Sequence, residues 1–377
     1  MFKRQTRNSV TMAIALAASL LGCGDTSGPE FRLQLEFEGR LERSAEVEAV
    51  VTFQGDAVPP TDISWSADPE DAVEFLSAQR LRFLAAGPVT LAAEAELESG
   101  IEQGRATLDV AVPPLVVFDL SREGNRDIYS VELDGQRLTR LTESAGDDVD
   151  PSAAAGAVVF TSFRDGNGEL YSVPLGGGVA QRLTQTEHDE IQTALSPDGS
   201  RIAYMTDPGG VFRLWVAQSD GSDPLPLTSG FGIGGSVEAS PGWDPTGEEI
   251  VFVSTTNGTA DVFTLRPGGD PASLVVSDDA EVEPAWSPDG DRVVFASDRA
   301  GDTELFLISL TTEGIIRLTQ RLGPDGEPAW LPDGRIVYTA WVDNTPTLRW
   351  LDPESPGATF EIPVGTGSPR RPSGVPN

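Results

Sequence analysis

The stretch that decides the fold is Glu281-Val282-Glu283-Pro284-Ala285-Trp286-Ser287-Pro288-Asp289-Gly290. Apolar runs follow it at residues 293–295 and 305–310, separated by the turn Ser297-Asp298-Arg299-Ala300-Gly301, and the unit ends in Arg317-Leu318-Thr319. Short apolar runs between Pro-Asp-Gly and Asp-x-x-Gly turns are typical of β-strands joined by tight hairpins, because Gly supplies positive φ and Asp caps its own backbone. We therefore expect this unit to be a small sheet of four strands.

The same pattern recurs through residues 115–377. The position held by Pro284 returns with steps of 42, 48, 43 and 44 residues, at Pro151, Thr193, Pro241, Pro284 and Pro328. Four-stranded propeller blades repeat every ~40–45 residues. No stretch shows the sustained 3.6-residue periodicity that a helical solenoid requires. The repeats therefore predict an all-β propeller.

The two ends of the repeat region predict how the propeller closes. Residues 116–142 contain three predicted strands but lack the opening segment that the other units carry. That segment is found at the C-terminus, where residues 372–377 align with residues 284–289. We expect the C-terminal strand to become the innermost strand of the first blade, since this leaves no exposed sheet edge. Five complete units and this composite one give six blades.

These motifs resemble the TolB-like β-propeller family. The resemblance covers residues 115–377 and rests on Pro-Ala-Trp-Ser-Pro-Asp-Gly at residues 284–290, Pro-Ala-Trp-Leu-Pro-Asp-Gly at 328–334, Leu-Ser-Pro-Asp-Gly at 195–199, and Arg-Leu-Thr beginning at Arg140, Arg182 and Arg317. It implies a periplasmic protein whose propeller face and channel mouth contact partner proteins and can hold a metal ion. The chain departs from the family pattern before Leu115, where the protein that names the family has an α/β domain.

The N-terminus carries the features of a lipoprotein export signal. A cationic start containing Lys3, Arg4 and Arg7 precedes an apolar run at residues 10–21, which is too short to span a bilayer at ~20 residues per helix. The run ends in Leu20-Leu21-Gly22-Cys23, a lipobox pattern, and Cys23 is the only cysteine of the chain. We therefore predict a signal peptide at residues 1–22, lipidation of Cys23 and a tether at residues 23–29. An ordinary signal peptide with an incidental cysteine is the alternative.

Residues 30–112 predict a second all-β domain. Apolar and polar residues alternate at residues 31–37, 47–53 and 106–112, and residues 63–65 and 89–97 add further strands. The order of these strands, with Trp65 in the middle, resembles a bacterial Ig-like β-sandwich, in which Trp65 would pack between the sheets. The pair Pro113-Pro114 marks a stiff boundary before the propeller domain at residues 115–377.

The charge of the chain bears on its partners. The net charge is -33, and the three cations of the predicted signal peptide are lost on cleavage, which leaves the mature chain near -36. Such a field repels nucleic acid and anionic lipid and favours basic partners or divalent cations. We therefore expect no nucleic-acid binding and membrane contact only through the N-terminal lipid. A uniformly acidic surface that merely keeps the protein soluble is the plainer alternative.

The acidic residues also keep a register with the repeats. Three positions before the opening residue of each complete blade stand Asp148, Glu190, Glu238, Glu281 and Asp325, and one position before it stand Asp150, Gln192, Ser240, Glu283 and Glu327, with Arg371 in the composite blade. The loops that carry them join the outer strand of one blade to the inner strand of the next. We expect both sets of carboxylates to ring one mouth of the central channel as a partner-binding or cation-binding site.

What this predicted ring binds is left open by the sequence. A hydrated rim whose carboxylates only cap the loop backbone is one alternative. No cofactor is required, and calcium is the candidate ion. Residues 165–169, Asp-Gly-Asn-Gly-Glu, place oxygen ligands at alternate positions as a calcium loop does, but the distal bidentate carboxylate is missing, so we read them as a hairpin turn.

The sequence favours a binding protein over an enzyme. It contains no Gly-x-Ser-x-Gly motif, and its only histidine, His188, lies in a predicted blade-to-blade loop. A single histidine cannot build a multi-histidine zinc or manganese site. A glycosidase needs only two carboxylates ~5–10 Å apart, so a polysaccharide- or peptide-processing enzyme with channel-mouth carboxylates is the alternative, together with a purely structural module.

These features together predict a monomeric protein of the bacterial cell envelope. It would be lipid-anchored to the outer membrane, facing the periplasm or the exterior, with an Ig-like spacer ahead of a six-bladed propeller. The acidic face of the propeller would bind a protein or another envelope macromolecule.

Lipid anchoring is tested at Cys23. Cys23→Ser should abolish incorporation of labelled fatty acid and release the protein from the membrane fraction, because the acylated thiol would be missing. Ser27→Ala in the predicted tether is the control and should label as the wild type does. A Cys23→Ser variant that still labels and sediments with membranes would rule out the lipoprotein assignment.

Overall fold

The computed structural model describes residues 14–17, 31–36, 46–53, 56–58, 63–77, 80–83, 87–97, 100–110, 112–232, 236–312 and 314–375. The chain divides into two compact units, Met1–Pro113 and Pro114–Asn377. Cys23 and the predicted tether lie outside the described residues. Within the described part of the chain, no helix has the length and hydropathy of a membrane span.

In the described residues of the N-terminal unit there are two antiparallel sheets and a short 3-10 helix, Glu70–Ala72. Its strands are β1 (Ile14–Ala17), β2 (Phe31–Glu36), β3 (Glu46–Phe53), β4 (Asp56–Ala57), β5 (Ile63–Asp68), β6 (Val73–Phe75), β7 (Arg80–Phe83), β8 (Gly87–Leu97) and β9 (Gly100–Val110). One sheet has the order β1-β2-β3-β7-β6, with β4 paired to β3, and the other has the order β5-β8-β9. Strand β1 lies inside the predicted signal peptide and pairs with β2. Two sheets agree with a predominantly β unit, and its identity as an Ig-like sandwich stays a prediction.

The second unit is a propeller of six four-stranded antiparallel sheets. We call the strands of each blade A to D from the channel outward. Blade 1 contains β10 (Leu115–Arg122), β11 (Asn125–Glu132), β12 (Thr139–Arg140) and, as strand A, β33 (Ser368–Gly374). Blades 2 and 3 contain β13 (Asp148–Ala154), β14 (Ala157–Ser162), β15 (Glu169–Pro174), β16 (Gln181–Arg182), and β17 (Glu190–Leu195), β18 (Arg201–Thr206), β19 (Arg213–Gln218), β20 (Leu225–Pro226).

The remaining three blades repeat the same order. Blade 4 contains β21 (Glu238–Trp243), β22 (Ile250–Ser254), β23 (Asp261–Leu265) and β24 (Ala272–Val275). Blade 5 contains β25 (Glu281–Trp286), β26 (Arg292–Ser297), β27 (Glu304–Ser309) and β28 (Ile315–Arg317). Blade 6 contains β29 (Asp325–Trp330), β30 (Ile336–Val342), β31 (Thr345–Leu351) and β32 (Thr359–Glu361). The six blades and their four strands confirm the prediction.

The C-terminal strand closes the ring as predicted. Strand β33 pairs antiparallel with β10, with Val116 opposite Gly374 and Asp119 opposite Arg370. A Cβ atom at Gly374 would stand 2.1 Å from the carbonyl oxygen of Trp330 in blade 6. Glycine is therefore needed where the closing strand passes the backbone of the last blade.

The hydrophobic core lies between neighbouring blades. Strand B of each blade is buried on both faces, as Val158, Val159 and Phe160 show in blade 2. Val116 and Phe118 of blade 1 pack in one cluster with Leu331, Val337 and Leu348 of blade 6, so the first and last blades share a core as well as a sheet edge. Near-continuous apolar runs in the B strands are what burial on two faces requires.

Every A strand contains a β-bulge at the same place. The pairing register between strands A and B shifts there in all six blades. The residue just before the opening position has a positive φ of 49–55° in each blade, namely Asp150, Gln192, Ser240, Glu283, Glu327 and Arg371. A bulge inserts one extra residue and re-aims a side chain. Six non-glycine residues thus share a left-handed backbone conformation that is uncommon for them.

Deleting residues 367–377 tests the closure. The loss removes strand A of blade 1 and exposes both the edge of β10 and part of the shared core, so we expect the free energy of unfolding to fall by several kcal/mol and the variant to aggregate. Thermal unfolding followed by circular dichroism measures the change. Deleting only residues 376–377, which follow the closing strand, is the control. Equal melting temperatures for the long deletion and the wild type would contradict the role of β33.

Candidate binding face and channel

The blades present two kinds of loop on one side of the propeller. Strand A begins where strand B ends, since Glu281 pairs with Ser297 in blade 5 and Glu238 with Ser254 in blade 4. The loops from strand D to the next strand A therefore lie on the same side as the loops from B to C. We call this side the channel face.

The channel ring is the set of six bulge residues, one from each blade. Together with the residues that follow them, they line a central cavity of about 140 Å³: Asp150, Gln192, Ser240, Glu283, Glu327 and Arg371, then Pro151, Thr193, Pro241, Pro284, Pro328 and Pro372. The structure thus brings together three of the predicted carboxylates, Asp150, Glu283 and Glu327. It joins them with one cation and two neutral side chains.

Hydrogen bonds link ring members of neighbouring blades. The backbone N–H of Glu327 donates to Glu283 Oε2 at 2.6 Å, and that of Arg371 donates to Glu327 Oε2 at 2.9 Å. The backbone N–H of Ser240 donates to Gln192 Oε1 at 2.8 Å. In each bond a side chain of one blade holds the bulge of the next. The ring is therefore a structural belt around the channel as well as a candidate site.

Arginines from the closing strand balance much of the negative charge of the ring. The guanidinium of Arg371 lies 2.9 Å from Asp150 Oδ1 and 3.6 Å from Glu327 Oε1, and Arg370 also pairs with Glu327. Burial raises the pKa of Asp150, and Arg371 opposes that rise. Burial and the charge of Glu327 raise the pKa of Glu283. Among the described residues, no ion pair within 4.0 Å includes Glu283.

The charged side chains of Asp150, Glu327 and Arg371 in the ring are paired with one another rather than arranged around a metal ion. In the described part of the chain, no group of three or more His, Cys, Asp or Glu side chains is placed to hold one. Arg371 occupies the space between Asp150 and Glu327 that a cation would need. The Asp-Gly-Asn-Gly-Glu turn is also occupied, because Asp165 accepts a hydrogen bond from Tyr171 and Glu169 pairs with Arg182. Calcium binding therefore gains no support here and stays a prediction.

The five carboxylates three positions before the opening residue do not line the channel. Asp148, Glu190, Glu238, Glu281 and Asp325 are all buried, with at most 3% of each exposed. Each is held by side chains of its own blade, of the preceding loop or, for Glu238, of strand C in the preceding blade: Asp148 by Arg164 at 2.9 Å, Glu238 by Arg213 at 2.9 Å, Glu281 by Arg299 at 2.8 Å, Asp325 by Arg321 at 3.1 Å, and Glu190 by Thr186 and Thr206. Our expectation that this set faces the channel mouth is wrong. These groups stabilise the start of strand A.

A repeated arginine completes these structural clusters, and the sequence reading gave it no role. Arg164 stacks over Tyr171 at 4.4 Å and Arg299 over Phe306 at 5.1 Å while each binds its buried carboxylate. Arg122 of blade 1 stacks over Tyr129 at 5.2 Å. The signal for this arrangement is an arginine three residues after the equivalent strand B positions Asp119, Thr161 and Ala296. It could have been found by aligning the turns with the aromatic positions of strand C.

Exposed apolar side chains lie on separate loops of the channel face. Leu322 is 93% exposed and Val276 51%, and both lie in loops from strand D to strand A. Val237 and Phe163 are exposed on the same face, the first just before β21 and the second just after β14. Two clefts of about 660 and 740 Å³ open beside Leu322 and Val276. His188 is exposed in a loop of this face; its backbone N–H donates to Thr186 Oγ1 and its carbonyl accepts a hydrogen bond from Asn167 Nδ2.

Asp119 is a buried carboxylate behind the ring, in strand B of blade 1. It is fully buried and lies 2.9 Å from Arg126, while its Oδ2 has no hydrogen-bond partner. Burial raises the pKa of its carboxyl to about 7, which Arg126 partly opposes and Asp150 increases. The equivalent position in the other blades holds Thr161, Met205, Val253, Ala296 and Thr339. This charge is therefore specific to the blade that closes the ring.

Asp119 should make the stability of the propeller depend on pH. Its folded pKa of about 7 lies above the ordinary aspartate value, so the folded chain holds a proton that the unfolded chain releases, and stability falls as pH rises from about 4 through about 7. Between about pH 5 and pH 8, the unfolding free energy of the wild type should fall by about 3 kcal/mol more than that of Asp119→Asn.

Urea unfolding at both pH values measures this difference. Asp270→Asn, which removes a carboxylate from an exposed turn, is the control and should follow the wild type. A pH dependence that is as steep in Asp119→Asn as in the wild type would show that Asp119 is not the titrating group.

The comparisons with known proteins agree with this architecture. The TolB beta propeller domain (PD40) matches residues 114–271 and 240–347. None of the curated protein sequences matches the chain. TolB from Acinetobacter baumannii superimposes with a TM-score of 0.63 at 14% identity, over 85% of this chain and 86% of that one.

Two further solved structures show the same fold at low identity. A putative TolB from Agrobacterium tumefaciens has a TM-score of 0.57 at 16% identity and covers 70% of this chain and 94% of its own. A chain of a nidogen/laminin complex has a TM-score of 0.56 at 12% identity and covers 69% of this chain and 97% of its own. The family match extends over more than half of the sequence, and the chain therefore belongs to the TolB β-propeller domain family.

Proposed function

We propose that this protein is a lipid-anchored scaffold of the cell envelope whose channel face binds another protein. The observation that carries the proposal is that Leu322 and Val276 are exposed beside two clefts of that one face, with Val237 and Phe163 exposed on other loops of it. Exposed apolar patches beside polar rims mark protein-interaction sites. The two clefts beside Leu322 and Val276 give such a partner concave surfaces to fill.

Family membership supports a location in the envelope. The match to the TolB propeller and the fold of the two TolB structures agree with an exported protein, and the lipobox at Cys23 would anchor it. In this proposal the N-terminal β unit is an Ig-like spacer between the lipid and the propeller. The nidogen/laminin structure is a case in which a chain with this fold is found in a complex between proteins.

The charge of the chain favours a basic partner. At a net charge of -33, the field would speed the encounter with a cationic surface and slow it with an anionic one. The apolar loop residues would then supply contact area that charge alone does not. Association should therefore weaken as ionic strength rises, because exposed charges are screened beyond ~8 Å at physiological salt.

The enzymatic alternative gains no support from the channel. A catalytic carboxylate pair must be free to exchange protons with a substrate, but Asp150 is held by Arg371, and Glu327 is held by Arg370 and the backbone N–H of Arg371. The five buried carboxylates are each bound by an arginine or by threonine hydroxyls of the protein. A purely structural module is the remaining alternative, and the experiment below separates it from a binding protein.

The test places charges on the channel face. We expect the double variant Leu322→Asp and Val276→Asp to lose about tenfold or more in capture of its partner from native envelope extracts, because two desolvated apolar contacts become charged. Val179→Asp is the matched control, since Val179 is 85% exposed but lies in a loop between strands C and D, on the opposite side. Quantitative cross-linking measures capture, and melting temperatures confirm that both variants fold. Equal capture by wild type and double variant would leave only the structural module.

A further inference from the structure

The cleft beside Leu322 lies between blades 5 and 6 and opens into the channel. Val282, Glu283 and Thr303 of blade 5 line one wall, and Leu322, Gly326 and Trp341 line the other. Glu283 belongs to this lining and to the channel lining, so it stands where the two spaces meet. At about 660 Å³ the cleft is large enough for a long side chain and part of the backbone that carries it.

Gly326 is the residue that keeps the cleft open. It occupies the position before the bulge residue, which holds Val149, Ile191, Ala239, Val282 and Arg370 in the other blades. A Cβ atom at Gly326 would stand 2.9 Å from Glu283 Oε2 and 3.7 Å from Trp341 Cζ3. Any larger side chain would therefore lie between the cleft and Glu283. The sequence of blade 6 leaves a path to this carboxylate.

Glu283 lacks the countercharge that the other ring carboxylates have. Its Oε2 accepts one hydrogen bond, from the backbone N–H of Glu327. The nearby cations, Arg370 and Arg371, are bound to Glu327 and Asp150. Glu283 is half-buried and has no ion pair within 4.0 Å among the described residues, so a cation that reaches it from outside would supply the missing countercharge.

The walls of the cleft suit the stem of a long basic side chain. Leu322 is 93% exposed, and Val282 and Trp341 are half-buried, so together they offer apolar surface along the path to Glu283. Arg370 already lies over the Trp341 ring at 5.3 Å, which directs a further cation to the carboxylate rather than to the ring. Lysine and arginine bury their methylene stems against apolar surface while the charged head reaches a polar partner. The outer end of the cleft also carries Asp343 and no basic residue.

We propose that the cleft between blades 5 and 6 receives a lysine or arginine side chain of the partner protein, whose charged head pairs with Glu283 while its stem packs against Trp341 and Val282. The partner segment would be basic at this residue and apolar beside it, to cover Leu322. This inference rests on the proposed function, since it names the chemistry that the channel face selects.

A panel of labelled peptides tests the specificity directly. Fluorescein-labelled Gly-Leu-Xaa-Leu-Gly-Gly, with Xaa as arginine, lysine, citrulline or glutamate, is titrated with the full mature chain and followed by fluorescence anisotropy. We expect the arginine and lysine peptides to bind at least about tenfold more tightly than the citrulline peptide, which keeps the shape of arginine without its charge. Absence of measurable binding by the arginine peptide, or equal binding by the citrulline peptide, would overturn the proposal.

Three variants locate the interaction. Glu283→Gln should lower the affinity for the arginine peptide by about tenfold or more and leave the citrulline peptide unaffected, and Gly326→Val should weaken both peptides by closing the path. Glu187→Gln removes the same charge from an exposed loop of the same face and should leave both affinities unchanged. Equal losses in Glu187→Gln and Glu283→Gln would mean that net charge alone acts, and the site would be withdrawn. Melting temperatures establish that each variant is folded. If Gly326→Val does not fold, the affinity of Glu283→Gln alone tests whether Glu283 binds the basic side chain.

The results distinguish an error in this inference from an error in the proposed function. The arginine, lysine and citrulline peptides could bind with equal affinity while the double variant Leu322→Asp and Val276→Asp still loses capture of the envelope partner. In that case the channel face binds a protein, but through contacts other than the cleft. If the substitutions on the face and in the cleft both leave binding unchanged, the channel face is not a binding surface.

Discussion

The pairing of β33 with β10 is the contact on which the rest of the propeller depends. It joins the two ends of the domain in one sheet, so blade 1 gains its fourth strand and neither end exposes an edge. The same strand carries Arg370 and Arg371 to the seam, where they bind Glu327 of blade 6 and Asp150 of blade 2. Closure is therefore secured by backbone hydrogen bonds, by the core shared with blade 6 and by ion pairs at the channel. The six inner strands can keep a common geometry because the last of them is held in place by its neighbours on both sides.

The repeat could be read from the sequence because the turns repeat with the strands. Pro-Asp-Gly and Asp-x-x-Gly turns set the strand boundaries, and the missing segment of the first unit reappears at the C-terminus, so the six blades and their closure were both predictable. The assignment of the carboxylates was only partly predictable. A regular strand has a side-chain period of two, which would place Asp148 and Asp150 on one side. The bulge breaks that alternation, so Asp150 lines the channel whereas Asp148 turns into the blade and binds Arg164.

Departures from the repeat matter more to the site than the repeat itself. Asp119 replaces a neutral residue only in blade 1, Arg371 replaces an acidic or neutral ring residue only in the closing strand, and Gly326 replaces a side chain only in blade 6. Each departure is visible once the six units are aligned, yet its consequence depends on what lies across the channel or in the next blade. Sequence spacing does not contain that information. The proximity of Gly326 to Glu283, and of Arg371 to Asp150, arises from the ring and is visible only in the structure.

The acidic character of the chain and its specificity have different origins. A net charge of -33 acts at long range, where it steers basic molecules toward the protein whatever their shape. Most carboxylates in register with the repeats cannot add selectivity, because an arginine or a hydroxyl of the protein already binds them. A carboxylate can select a cationic partner when folding takes it partly out of water but provides no cation of the protein to pair with it. Glu283 is half-buried and has no ion pair among the described residues, and the absent side chain at Gly326 leaves it within reach from the surface. Selectivity on this face therefore follows from the unpaired charge of Glu283 rather than from the net charge of the chain.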